Sequence, residues 1–180
     1  MPLNTTIAPD LSSCRFGSIY LKLADSKDEL EKAQKLRRFV FFDEPLGKKE
    51  QSGEIDSDEF DDLCEHLLVV DEPEGQEPIV VGTYRLLRKN VTKNPEKFYT
   101  DTEFDISKLL NSGYNLLELG RSCIHPDYRD GKVIQLLWKG IGIYIAFHNI
   151  NYLFGCASFM GVDAEKHRNA ISFLMRYHKA

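Results

Sequence analysis

The order of segment patterns predicts a mixed β-sheet covered by helices, an α/β (α+β) fold. Two observations carry this. Three strand-like runs, "HLLVVD", "IVVGTYRLLR" and "NLLELGRSCI", follow one another, which implies antiparallel pairing. The third is followed by a long apolar helix pattern and a further strand, which implies a right-handed parallel crossover. A chain of 180 residues can bury the core that such a sheet needs.

Each element has its own signal. "SIYLKLAD" alternates and reads as a strand. Ser26 with Glu29 three residues later is a capping-box signature. It opens a helix through "KDELEKAQKLRRFVFF", with Leu30, Ala33, Leu36 and Val40 as its apolar stripe, and Pro45 ends the pattern. The acidic stretch that follows reads as irregular, with a short helix near "SDEFDDLCE". "EPEGQEP" is dense in turn formers and joins two strands into a hairpin. A short amphipathic "FDISKLL" precedes the next strand. "GKVIQLLWKGIGIYIAFHN" is apolar nearly all round and is expected to be deeply buried. "NYLFGCASF" reads as a strand, and "DAEKHRNAISFLMRYH" as a final helix with Asp163 as N-cap. Residues 1–18 are expected to form a flexible arm and 19–180 a single domain.

Composition narrows the class. Hydrophobic content of 42% and charged content of 28% fit an ordinary globular protein. No apolar run approaches the roughly 18 residues that span a bilayer. Cys14, Cys64, Cys123 and Cys156 form no C-x-x-C pair, which argues against zinc and for reduced thiols in the cytoplasm. The net charge of −5 hides an asymmetry. Residues 1–77 hold 9 Lys/Arg against 19 Asp/Glu; residues 78–180 hold 14 against 9. One reading is a solvated acidic loop from Asp43 to Glu77. The other is a two-sided protein, with an acidic side for a cationic small molecule and a basic side for an anionic partner. No basic cluster interleaved with aromatics suggests nucleic-acid binding.

"NLLELGRSCIHPDYRDGKVIQLL" concentrates ionisable residues where a strand feeds a helix. Glu118 and Arg121 lie in a strand that otherwise reads as core. Buried charges are costly unless paired or used, so either a salt bridge or a functional pair explains them. Alternation places them on opposite faces. A bulge near Gly120 would turn both to one face and splay the neighbouring strands. The helix start beyond offers N–H groups to an anion, with Arg129, Gly131, Lys132, Val133 and Gln135 around it. No Walker A or G-x-G-x-x-G pattern is present.

The segments "LRRFVFFDE", "DEFDDLCEHLLVVD", "VGTYRLL", "FYTDTEFDISKLL", "LELGRSCIHPDYRDGKVIQLLWKGI" and "YLFGCASF" carry a resemblance. In this order the chain resembles the GNAT superfamily of acyltransferases, and within it the bacterial ornithine N-acyltransferase (hemolysin-like) group. Its Glu-x-x-Arg on the central strand is also similar to that of acyl-homoserine lactone synthases. The resemblance implies a mostly antiparallel twisted sheet with helices on both faces. It also implies two splayed central strands, "LLELGRSCI" and "YLFGCASF". The implied reaction moves a 3-hydroxyacyl group from acyl carrier protein to the α-amino group of L-ornithine, the first step of ornithine lipid synthesis; the alternatives are an N-acyltransferase for another amino acid and a non-catalytic remnant that binds carrier protein or acyl chains. The implied donor moiety is the carrier's phosphopantetheine, with no tightly bound cofactor and no metal. The glycine-rich pyrophosphate loop of the superfamily is missing, which suits a donor with a single phosphate. The family continues with further strands, so the domain is expected to be incomplete at its C-terminus.

Roles follow from the chemistry, which needs a neutral amine and a polarised thioester. Glu118 is the expected base. Arg121 orients it or binds the acceptor carboxylate. His125 is a second proton shuttle or a cap. Arg37 and Arg85 anchor the acceptor carboxylate or steady the acidic segment. Asp58, Asp61 and Asp62 are candidates for the cationic side chain of ornithine, with solvated surface carboxylates as the alternative. Cys123 and Cys156 read as small hydrophobes rather than nucleophiles. An amphiphilic product points to the inner face of the membrane, and an unfinished sheet edge points to a homodimer.

Overall fold

The computed structural model describes residues 8–48, 52–89, 97–159 and 161–178. Six strands form one sheet in sequence order: β1 (Arg15–Phe16), β2 (Ile19–Leu23), β3 (Glu65–Asp71), β4 (Ile79–Arg88), β5 (Leu116–Ile124) and β6 (Tyr152–Phe154). Every pair is antiparallel except β5–β6, which is parallel. The mixed sheet and its crossover are therefore as the segment order implied.

The helices are α1 (Lys27–Arg38), the single turn α2 (Ser107–Leu110), α3 (Lys132–His148) and α4 (Arg168–Tyr177). Ser26 caps α1 by accepting the Glu29 N–H, while Glu29 reaches back to the N–H of Asp25. Alternation along the strands supplies both faces with apolar side chains. Leu67, Val69, Val81 and Leu117 meet α3 through Val133, Leu137, Ile141 and Tyr144. Leu68, Val70 and Val80 meet Ala33 and Leu36 of α1. A third cluster of Phe60, Leu87, Phe98 and Leu116 closes the α1 side near β5. Close helix–sheet approach fixes α3: a Cβ on Gly140 would lie 2.1 Å from Leu21.

Four expectations need correction. The N-terminal arm is tied down in its described part, because Leu11 and Cys14 are buried in the α3-side core and Arg15–Phe16 pairs with β2; residues 1–7 lie outside the described residues. The short helix near "SDEFDDLCE" is a series of turns. Asp58 there accepts from the Phe60 N–H at 2.9 Å, a local bond that competes with helix. Helix α3 buries one face only, and Trp138 stays 49% exposed on the other. β6 covers three residues rather than all of "NYLFGCASF", since its pairing stops at Glu118↔Phe154. Among the described residues no helix is long and apolar enough to cross a membrane.

Candidate active site

The end of β6 pairing creates the site. Beyond Phe154 the chain leaves β5, and a cavity of about 570 Å³ opens between Leu119–Ser122 on one wall and Cys156–Phe159 on the other. Gly155 sits at the fork, where any Cβ would lie 2.2 Å from the Leu119 carbonyl oxygen. Phe41 and Tyr99 contribute to the remaining wall.

A bulge distorts β5 at the same level. Arg85 faces Gly120 and Thr83 faces Cys123, so two steps on β4 oppose three on β5. The extra residue lies at Arg121–Ser122, one position beyond the expected Gly120. Arg121 takes φ 48°, a left-handed conformation uncommon for a residue with a Cβ. The consequence is the expected one: Glu118 and Arg121 both line the cavity.

The two do not pair with each other. Glu118 is 5% exposed, and its carboxylate is held by one neighbouring segment. Oε1 accepts the Thr100 N–H at 2.6 Å and the Thr100 hydroxyl at 2.5 Å; Oε2 accepts the Tyr99 N–H at 2.9 Å. A carboxylate offers about four acceptor sites, so this one keeps spare capacity on Oε2. The Arg121 guanidinium stands 6.0 Å from the ring centres of both Phe41 and Tyr99. Its nearest carboxylates are Asp56 at 3.5 Å and Asp58 at 3.7 Å, and its buried Nε has no hydrogen bond. Arg121 is thus a loosely held cation facing the slot.

Beneath it lies a tightly closed network. Arg37, 1% exposed, donates to both oxygens of Asp61 at 2.8 and 2.7 Å and to Asp56 at 3.0 Å. Arg85 donates to Asp58 at 2.6 Å and Asp61 at 3.1 Å, and Gln34 donates to Asp61 at 2.9 Å. Burial alone would raise the Asp61 carboxyl, but Arg37, Gln34 and Arg85 hold it well below the usual carboxylate range. Burial lowers His66, whose Nε2 lies 3.0 Å from the Asp61 carbonyl oxygen. Arg37 and Arg85 thus donate to all three carboxylates, and both oxygens of Asp61 are occupied before any acceptor arrives. Asp62 is exposed and does not line the cavity.

The family described as "Acetyltransferase (GNAT) domain" matches residues 36–139, more than half of the chain. This chain belongs to the GNAT family. The GNAT chain is 43% identical over 169 residues to the L-ornithine N(alpha)-acyltransferase of Brucella abortus, covering 89% of this chain and 59% of that protein. It is 38% identical over 168 residues to the enzyme of the same name from Rhodobacter capsulatus, covering 91% and 65%. It thus spans less than two thirds of the length of these curated relatives. Two solved structures share the fold. FeeM, an N-acyl amino acid synthase from uncultured soil microbes, superposes with TM-score 0.59 at 13% identity, covering 87% of this chain and 77% of FeeM. The AHL synthase LasI superposes with TM-score 0.53 at 16% identity, covering 88% and 77%.

In this GNAT domain the residues expected to bind the donor lie outside the cavity wall. Arg129 is held by Glu44 in a two-armed pair at 2.7 Å per arm. Lys132 pairs with Asp130, which also accepts the Lys132 backbone N–H at 3.1 Å. Gly131 adopts φ 97°, Val133 is buried against Gly82, and Gln135 is exposed. Arg129 and Lys132 thus each have an acidic partner at the surface. His125 serves the turn instead of the slot: Nδ1 accepts the Asp127 N–H at 3.3 Å and the ring stacks on Phe39. Burial pushes the Cys123 thiol up to about 12. Cys156 borders the cavity, its Sγ 3.6 Å from the Thr100 hydroxyl.

Sequence reading missed Tyr99, Thr100 and Glu103. They belong to "FYTDTEFDISKLL", a segment that carries the resemblance but in which no residue was given a role, and no spacing ties residue 100 to residue 118. The signal that did exist was a glutamate in an apolar strand, which demanded buried donors from somewhere.

Proposed function

We propose that this chain transfers an acyl group from a thioester to the α-amino group of L-ornithine. The observation that carries this reading is the slot itself, a cleft where the chain after β6 leaves the side of β5, with one buried carboxylate and one loosely held guanidinium on its wall. Such a cleft suits a linear thioester arm entering along the strands. β5 beyond Glu118 has lost its β6 partner, so backbone groups on that edge are open to amides of the arm. The names of the curated relatives support ornithine as acceptor.

In the reaction the amine nitrogen attacks the thioester carbonyl, the N–C bond forms, the C–S bond breaks, and the sulfur leaves as a thiol with the proton that the amine gave up. Glu118 takes the amine proton on its uncommitted Oε2 site. Arg121 binds the acceptor carboxylate, where a two-armed pair fixes the amine's direction. The donor is a 3-hydroxyacyl group on the phosphopantetheine of acyl carrier protein, and the product enters ornithine lipid synthesis at the cytoplasmic face of the membrane. The acidic carrier protein fits the basic C-terminal half of the chain.

Mass spectrometry tests this directly. The purified chain, given 3-hydroxyacyl carrier protein and an equimolar amino-acid mixture, is expected to yield N-acylornithine as the main product. Equal acylation of neutral amino acids, or no acylated amino acid at all, would sink the reading.

A further inference from the structure

A cationic acceptor needs an anion that is not already spent. The carboxylates of Asp56, Asp58 and Asp61 already accept from Arg37 and Arg85. The cavity wall holds two others, Glu118 and Glu103. Glu118 is buried and bound to Tyr99 and Thr100. Glu103 follows the turn Thr100–Thr102 and is exposed at the rim. Its Oε1 accepts the Tyr99 hydroxyl at 2.5 Å, and its Oε2 is uncommitted. No Lys or Arg among the described residues pairs with it.

We infer that Glu103 determines acceptor specificity by receiving the side-chain ammonium of a diamino acid at the mouth of the slot. This assignment rests on the amino-acid acyl transfer proposed above. Position decides between the two carboxylates. An ammonium is strongly hydrated and costly to bury, so a rim carboxylate lets it keep part of its water shell. The α-amine must instead lose its proton and enter, which places it by Glu118. Tyr99 links the two ends. Its ring lies under Arg121 at 6.0 Å, and its hydroxyl holds Glu103. The Glu103 bond, and then burial, raise the Tyr99 hydroxyl above its ordinary value, so it remains a donor. One rigid ring thus spaces the cation that meets the acceptor's carboxylate from the anion that meets its far end.

Titration calorimetry with L-ornithine and L-norvaline tests this, since norvaline has the same carbon skeleton without the terminal amine. The chain is expected to bind ornithine about 10-fold tighter than norvaline. Glu103→Gln keeps an acceptor for the Tyr99 hydroxyl and brings ornithine down to the norvaline level. Glu103→Lys reverses the order of the two ligands. Equal affinities in the unaltered chain, or an ornithine preference that survives Glu103→Gln, overturn the assignment. Because calorimetry needs no acyl donor, the two proposals fail separately. Glu103-dependent ornithine binding without acyl transfer keeps the assignment and sinks the reaction. Acylation of ornithine with its preference intact in Glu103→Gln does the reverse.

Discussion

Two groups of ionisable side chains sit on the same side of the sheet, and they differ in how fully they are used. Around Asp61, donors from Arg37, Gln34 and Arg85 converge until both carboxylate oxygens are occupied. Around the slot, Glu118 keeps an acceptor site and Arg121 keeps an unbonded Nε. Both groups hold residues that read as charges on otherwise apolar elements. Closure of the hydrogen bonds separates them. A closed network sets the shape of the loop at 56–61, whereas an open pair can still meet a ligand.

The largest effect expected from this contrast is on stability. Arg37→Met removes one partner of a buried ion network and leaves Asp61 uncompensated, which costs about 3–5 kcal/mol. Urea unfolding measures it. A loss below about 1 kcal/mol, combined with lost ornithine binding, would instead move Arg37 from scaffold to site. Glu118→Gln comes next and acts mainly on rate. If Glu118 is the base proposed above, its loss costs at least about 100-fold in kcat. The amide NH2 would face the Tyr99 N–H, so stability falls by about 1–2 kcal/mol. Steady-state kinetics beside a urea curve separates the two terms, and full activity in this variant would show that Glu118 is not the base.

Most of the fold was legible because alternation and capping are local. β2, β3, β4 and β5 fall where their apolar patterns lie, and Ser26 caps α1 as its spacing with Glu29 implied. The bulge was legible for a different reason: Glu118 and Arg121 could share a face only if the strand gained a residue. The partners of those two residues were not legible. Tyr99 and Thr100 reach Glu118 across 18 or more residues of sequence, through tertiary contacts that no periodicity encodes. The acidic segment misled in the same way. Its aspartates looked available for a cationic ligand because Arg37 and Arg85, which occupy them, lie on elements distant in sequence. Helix α3 shows the converse, since an apolar pattern all round did not bring burial all round.

The smallest effect is a pH dependence that belongs to the closed network alone. Burial favours a protonated Asp61, yet the guanidiniums and Gln34 outweigh it, so the folded carboxyl titrates below its ordinary value. A carboxyl depressed by folding stabilises the native state above its unfolded pKa, and that stability is lost as pH falls through the folded value. The unfolded reference for an aspartate is about 3.9. The gap in urea midpoint between the unaltered chain and Asp61→Asn is therefore expected to stay constant from pH 7 to about 5. It should then narrow progressively below about pH 4, as the carboxyl of the unfolded chain takes up a proton that the native one does not, a titration the Asn variant lacks. A gap that stays constant down to pH 3 would mean that the Asp61 charge adds no stability beyond the geometry of its hydrogen bonds, and the distinction between closed and open groups would lose its electrostatic basis.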